Sequence, residues 1–204
     1  MGDKIQSKKL AIKAKVNTIP GFNEVIKDTS HALSIVEDIG LETLKTHVVN
    51  PLTDLYLAPF YGCYMVRPSD ALEFNQYPNR ENSLELLIES TGATVTKYSG
   101  TTACCGFPIL FINQENSLKM VSNHTGNAKD SGANAIVTPC PLCHLNLDGY
   151  QPSASLLRRE MINLPILHLP QLLGLAMGIE PTELKLNRHI VSTKKLISTL
   201  SVTP

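Results

Sequence analysis

Five cysteines are the residues of this 204-residue chain best placed to act together. They stand as Cys63, the pair Cys104-Cys105 followed by Gly106, and Cys140-Pro141-Leu142-Cys143. Free cysteine otherwise behaves as a small buried hydrophobe, and a structural set would be scattered among core positions. Full pairing into disulfides is impossible with an odd number, and a bridge between neighbours Cys104 and Cys105 would be badly strained. The remaining reading is a soft-metal site of thiolates, with iron–sulfur and zinc as candidates. A zinc site or an ordinary cubane cluster takes four ligands and leaves one cysteine over. Five thiolates suit a larger or asymmetric cluster with a bridging sulfur, or a four-ligand cluster with one thiol free to react. Redox dithiols share the Cys-x-x-Cys spacing, so metal-free thiol–disulfide exchange at Cys140 and Cys143 is a rival reading.

Composition narrows the setting. Eighteen Lys and Arg balance 18 Asp and Glu, which argues against nucleic-acid binding, where affinity rests on phosphate neutralisation. With 43% hydrophobic residues the chain can build a core without disulfide staples. The first 16 residues are locally basic but lack the apolar run of a signal peptide. No stretch approaches the ~20 apolar residues that span a bilayer. The expectation is therefore a protein not integral to the membrane, in the reducing cytoplasm, where thiols stay available for metals.

The elements that must carry these cysteines follow from periodicity. Residues 1–50 read as an N-terminal arm with a loop signal at Pro20-Gly21, then leading helices from Ser30 with a break at Gly40. Residues 51–204 read as one domain. Four apolar runs are predicted strands: Leu55–Tyr61, Thr94–Tyr98, Ala135–Thr138 and Pro165–Leu169. Helical spacing is predicted for Ser83–Thr91, Glu115–Ser131, Ala154–Met161, Pro170–Ala176 and Thr193–Leu200. Strands alternating with helices give an α/β fold with a mostly parallel sheet. Cys63 follows the first strand, Cys104 and Cys105 lie in a loop after the second, and Cys140 follows the third. Such sheets collect ligands outside the carboxyl ends of their strands, so one edge would receive all five sulfurs.

The series Tyr61-Gly62-Cys63, Cys104-Cys105-Gly106-Phe107-Pro108 and Cys140-Pro141-Leu142-Cys143-His144-Leu145-Asn146-Leu147-Asp148 resembles the cysteine-rich CCG domain, in particular the C-terminal half of the heterodisulfide reductase B subunit. Arg67-Pro68-Ser69 and Leu167–Ala176 fit the same half, and the likeness runs from about Ser30 onward. The resemblance implies a non-cubane [4Fe-4S] cluster held by Cys63, Cys104, Cys105, Cys140 and Cys143. It also implies reductive cleavage of a disulfide by single electrons. Implied partners are other heterodisulfide-reductase-like subunits: a ferredoxin-type C subunit, a flavin-bearing A subunit or a second CCG chain. The family's full B subunit has two CCG domains with the disulfide between their clusters, and this chain has one set of five cysteines. The second domain would then come from another chain, or this chain would relay electrons or act on another sulfur compound.

Among neighbours of the cysteines, His144 could donate a proton to a product thiolate or simply pack against the sheet. Arg67 could attract a carboxylate-bearing thiol, or pair with Asp70. These two are the catalytic candidates. Asn146 and Asp148 read as loop-fixing side chains. His168, in an apolar strand, reads as a satisfied core residue. His31, His47, His124 and His189 lack companion ligands at useful spacing and read as surface residues. Leu172, Leu173, Ala176 and Met177 read as core, and Gly174 as packing punctuation.

Overall fold

The computed structural model describes residues 40–67 and 80–200. The chain divides into two compact units, Met1–Leu44 and Lys45–Pro204. A short helix α1, Leu41–Thr46, crosses that boundary, and the predicted helix from Ser30 to Ile39 lies outside the described residues.

Four strands form the sheet of the second unit: β1 (Tyr56–Pro59), β2 (Thr94–Val95), β3 (Ala135–Thr138) and β4 (Ile166–His168). They lie in the order β2-β1-β3-β4, and every pairing is parallel. Leu57 pairs with both Val95 and Ala135, and Val137 pairs with Leu167. Parallel neighbours need crossovers, and helices supply them. Helix α2 (Ser83–Ser90) lies between β1 and β2, and α3 (Gln114–Asp130) between β2 and β3. Helices α4 (Pro141–Gly149) and α5 (Gln151–Arg158) separate β3 from β4. Helices α6 (Leu169–Ala176) and α7 (Lys194–Leu200) close the chain.

Side chains alternate across the strands, so each strand feeds two cores. Leu57, Val137 and Leu167 pack on one face with Leu84, Ile88, Leu172 and Leu196. Ala58, Ile136 and Ile166 face the other way, toward Phe60, Val121, Leu147 and Ala154. Burial on both faces explains why the strands read as unbroken apolar runs. Gly174 is buried where a Cβ would stand 2.6 Å from the Leu184 side chain, as its packing role requires. Leu172 and Ala176 are core, whereas Met177 is exposed.

The order of strands reverses between β1 and β3. The chain leaves β1 for β2 on one side, then crosses back to build β3 and β4 on the other. That crevice is the topological switch point, where open α/β sheets bind ligands. One expectation is corrected here. The segment after Cys140 is a helix rather than a loop, with Cys140 at its N-cap and Pro141 at its first position. Proline fits that position because its missing N–H would be unsatisfied anyway.

Candidate metal and redox site

The cysteines are delivered by the segments that leave the carboxyl ends of three strands. Gly62 turns the chain out of β1 in a left-handed conformation (φ +72°) and places Cys63. The Tyr61 amide donates to Thr101 O at 2.8 Å and the Phe60 amide to Val137 O at 2.8 Å. The exit from β1 is thereby joined to the loop after β2 and to β3. The Cys140 amide donates to Thr138 Oγ1 at 3.3 Å as the chain enters α4.

The five thiols are free and form one contiguous series: Cys63 beside Cys104, Cys104 beside Cys105, Cys105 beside Cys143, and Cys143 beside Cys140. Cys105 and Cys143 are buried and the other three are half-buried. The Cys143 thiol donates to Cys105, which brings the Cys105 pKa down to about 7. The same hydrogen bond, with burial and the nearby Cys105 and Cys140, pushes Cys143 up. Burial first, then neighbouring Cys63 and Cys105, pushes Cys104 up. Crowded thiols cannot all ionise without a cation among them.

The surroundings suit soft, anionic sulfur. The Gly106 amide donates to Cys104 Sγ at 3.4 Å. The backbone amides of Cys105 itself and of Phe107 help lower the Cys105 pKa. Cys140 and Cys143 lie at the N-cap and first turn of α4, where the helix dipole favours negative charge. Two glycines are required. A Cβ on Gly62 would stand 2.6 Å from Cys143 Sγ, and one on Gly106 (φ +95°) would stand 2.9–3.1 Å from Ser117. Among the described residues, no three His, Cys, Asp or Glu side chains converge tightly enough to hold a single metal ion. The donor set is five neighbouring sulfurs.

Polar side chains from two helices support the pair after β2. His124, on α3, donates from Nε2 to Cys104 O at 2.9 Å, and Asn146, on α4, donates to Cys105 O at 2.8 Å. His124 is buried, against the expectation of a surface residue, and its ring lies 5.1 Å from that of Phe60. The missed signal was periodic. Ser117, Val121, His124 and Ala128 share the buried stripe of α3. Asp148 accepts from the amides of Ile190 and Val191 at 2.8 and 3.1 Å, so it is structural but ties down a distant segment rather than a loop after Cys143.

His144, His168 and His189 form a second cluster. Their ring centroids are 6.0 Å (His144–His168) and 4.9 Å (His144–His189) apart. His189 is half-buried rather than on the surface, and accepts from Gln171 at 3.0 Å. His168 is only half-buried, and its Nε2 has no partner among the described residues, so it is not the satisfied core residue expected. His144 donates from Nε2 to Ile166 O at 3.1 Å, which commits that proton to the sheet. Arg67 is exposed, and its suggested partner Asp70 lies outside the described residues, as does His31; His47 is exposed as expected. A cleft of about 460 Å³ lies elsewhere, among Asn134, Asn163 and Lys195, and includes no cysteine.

The chain is similar to several known proteins. The 8-methylmenaquinol:fumarate reductase membrane anchor subunit of Wolinella succinogenes is 39% identical over 157 residues, 77% of this chain and 55% of that protein. The B subunit of the ferredoxin/F(420)H(2)-dependent CoB-CoM heterodisulfide reductase of Methanosarcina acetivorans is 30% identical over 178 residues, 84% of this chain and 59% of the relative. The chain thus spans a little over half the length of these relatives. A crystal structure of a hypothetical protein from Helicobacter pylori shares the fold, with a TM-score of 0.55 at 15% identity, covering 92% of this chain and 35% of that one. A 40-residue stretch, 20% of the chain, has a different likeness: it is 65% identical to 6% of the mitochondrial propionyl-CoA carboxylase alpha chain of Sus scrofa. Among the described residues, no helix is long and apolar enough to cross a membrane. The model of the cysteine-rich CCG family matches residues 57–148, a span that holds all five thiols, and this part of the chain is a CCG domain.

Proposed function

We propose that this chain is a redox subunit of a heterodisulfide-reductase-like complex, with Cys63, Cys104, Cys105, Cys140 and Cys143 holding a non-cubane [4Fe-4S] cluster. The observation that carries this reading is the series of five neighbouring thiols on segments that leave three strand ends. Five thiols are one more than the four ligands that a tetrahedral zinc takes. The cluster-bearing domain is 51–204; residues 1–50 contain none of the cysteines, and the carboxylase-like stretch plays no part in the reading.

When bound, the cluster supplies one-electron transfer at an iron centre open to sulfur. The chain's own residues do the rest. Gly62 and Gly106 let the backbone close around the sulfurs, and the amides of Cys105, Gly106 and Phe107 offset their negative charge. The reaction class is reduction of a disulfide: two electrons and two protons convert one S–S bond into two thiols. The electrons would arrive singly from a ferredoxin-type C subunit fed by a flavin-bearing A subunit. Exposed Tyr64, Met65, Leu142 and Leu145 flank the cysteines in sequence, which suits an edge covered by a partner such as a second CCG chain. Such a complex would work in the cytoplasm.

The deciding measurement is iron, zinc and acid-labile sulfide per chain after anaerobic purification, with an electron paramagnetic resonance spectrum of the oxidised protein. About four irons with matching sulfide are expected. One zinc without sulfide would instead make this a structural or assembly module. No metal, with rapid alkylation of Cys140 and Cys143, would leave a thiol–disulfide oxidoreductase.

A further inference from the structure

We propose that His124 and Asn146 act as a pair of positioning residues that turn the peptide groups of Cys104 and Cys105 so that their N–H donors face sulfur, and that they thereby set the reduction potential of the bound group. This inference rests on the iron–sulfur reading above.

The geometry begins with two successive carbonyls. Cys104 O accepts from His124 on α3, and Cys105 O accepts from Asn146 on α4, at 2.9 and 2.8 Å. A peptide group is rigid and trans, so its C=O and N–H point in opposite directions. Holding Cys104 O inward turns the Cys105 N–H outward. Holding Cys105 O inward does the same for the Gly106 N–H. The Gly106 amide is found where this predicts, facing Cys104 Sγ at 3.4 Å, and the Cys105 amide helps lower the pKa of its own thiol.

Both side chains are fixed by their own packing. His124 lies against Phe60, and a Cβ on Gly100 would stand 2.8 Å from its Nδ1, so only glycine leaves room for the ring. Asn146 is fully buried, and its Oδ1 has no partner among the described residues. An unpartnered buried acceptor costs about 1–3 kcal/mol. A leucine of similar volume would avoid that cost, and what it would lose is the bond to Cys105. Hydrogen bonds to cluster sulfurs stabilise the more negative, reduced state and raise the potential.

The test compares wild type with His124→Leu, Asn146→Leu, Asn146→Asp and His124→Gln in the full chain. Iron and sulfide per chain are measured, then the midpoint potential by anaerobic spectroscopic titration. The Leu and Asp variants should load iron and shift to more negative potential. At the wild-type midpoint, their oxidised-to-reduced ratio should rise about tenfold, or 59 mV for a one-electron couple. His124→Gln restores an amide donor and should stay near wild type. Loaded variants with an unmoved potential and spectrum would overturn the proposal. If the Leu and Asp variants fail to load while His124→Gln loads, the donors are needed to present the sulfurs, which supports it. Failure of all four would make both side chains packing residues and overturn it. Wild-type protein without iron would instead sink the iron–sulfur reading itself.

Discussion

Cys140 and Cys143 ride on the start of α4, where Pro141 pre-sets the first helical φ and regular spacing keeps the two sulfurs adjacent. Cys104 and Cys105 have no such frame. They sit in irregular backbone between β2 and a short 3₁₀ turn, Phe107–Ile109, and adjacent residues do not naturally present both sulfurs to one side. What holds them comes from outside the loop: His124, Asn146, and the close approach of Gly106 to Ser117. A helix positions ligands with its own hydrogen bonds, whereas a loop must borrow its geometry from neighbours. The borrowed site should therefore be the more fragile of the two.

Gly106→Ala should break the loop most severely. Its φ of +95° costs an L-residue about 1–2 kcal/mol, and the new Cβ would press on Ser117 backbone and side chain, adding about 1–3 kcal/mol of overpacking. Gly132→Ala is the control, since its φ is +86° but nothing lies within 4 Å of its Cβ. Denaturant unfolding should show a loss of about 2–5 kcal/mol for the first and about 1–2 kcal/mol for the second. Equal losses would mean that the loop carries only backbone strain, not a packed contact with α3.

Acid should weaken the loop's support next. Burial holds His124 below the ordinary histidine pKa, so the folded chain keeps it neutral. The unfolded chain takes up a proton near pH 6.5 that the folded chain refuses. Stability is therefore whole above that pH and falls as pH drops below it. His189, also lowered by burial, adds to the same slope. Unfolding free energies between pH 7.5 and 5.5 should decline in wild type and decline less in His124→Gln, which keeps a donor but cannot titrate. Identical slopes would remove His124 from the account.

How much of this was visible beforehand follows the same division. The strand Ala135–Thr138 was legible to the residue because burial on both faces forces an unbroken apolar run. The placement of cysteines at strand ends followed from that. The shorter β2 was overestimated, since edge position and a glycine-rich loop end its pairing after Val95. Helix α4 was hidden because Pro141 reads as a loop residue unless the helix start is already suspected. His124 was misplaced for a deeper reason. Its burial is written in the periodic stripe of α3, but its partner is not: only the tertiary meeting of α3 with the Cys104 carbonyl supplies that. Local geometry was written in local pattern; the borrowed geometry was not.

Pro141→Ala should have the smallest effect, and it tests the helical half of the comparison directly. The substitution loses only the entropic advantage of a pre-set φ, about 0.4–1 kcal/mol. It removes no hydrogen bond, because the first helical position has no acceptor within the helix. The amide it creates faces the unsatisfied N-terminal end of α4, beside Cys140, where an added donor is compatible with sulfur. Unfolding should shift by no more than about 1 kcal/mol, and iron per chain should match wild type. If the variant instead loses metal, α4 does not position its own cysteines. Proline would then be a required constraint, and both halves of the site would be borrowing their shape.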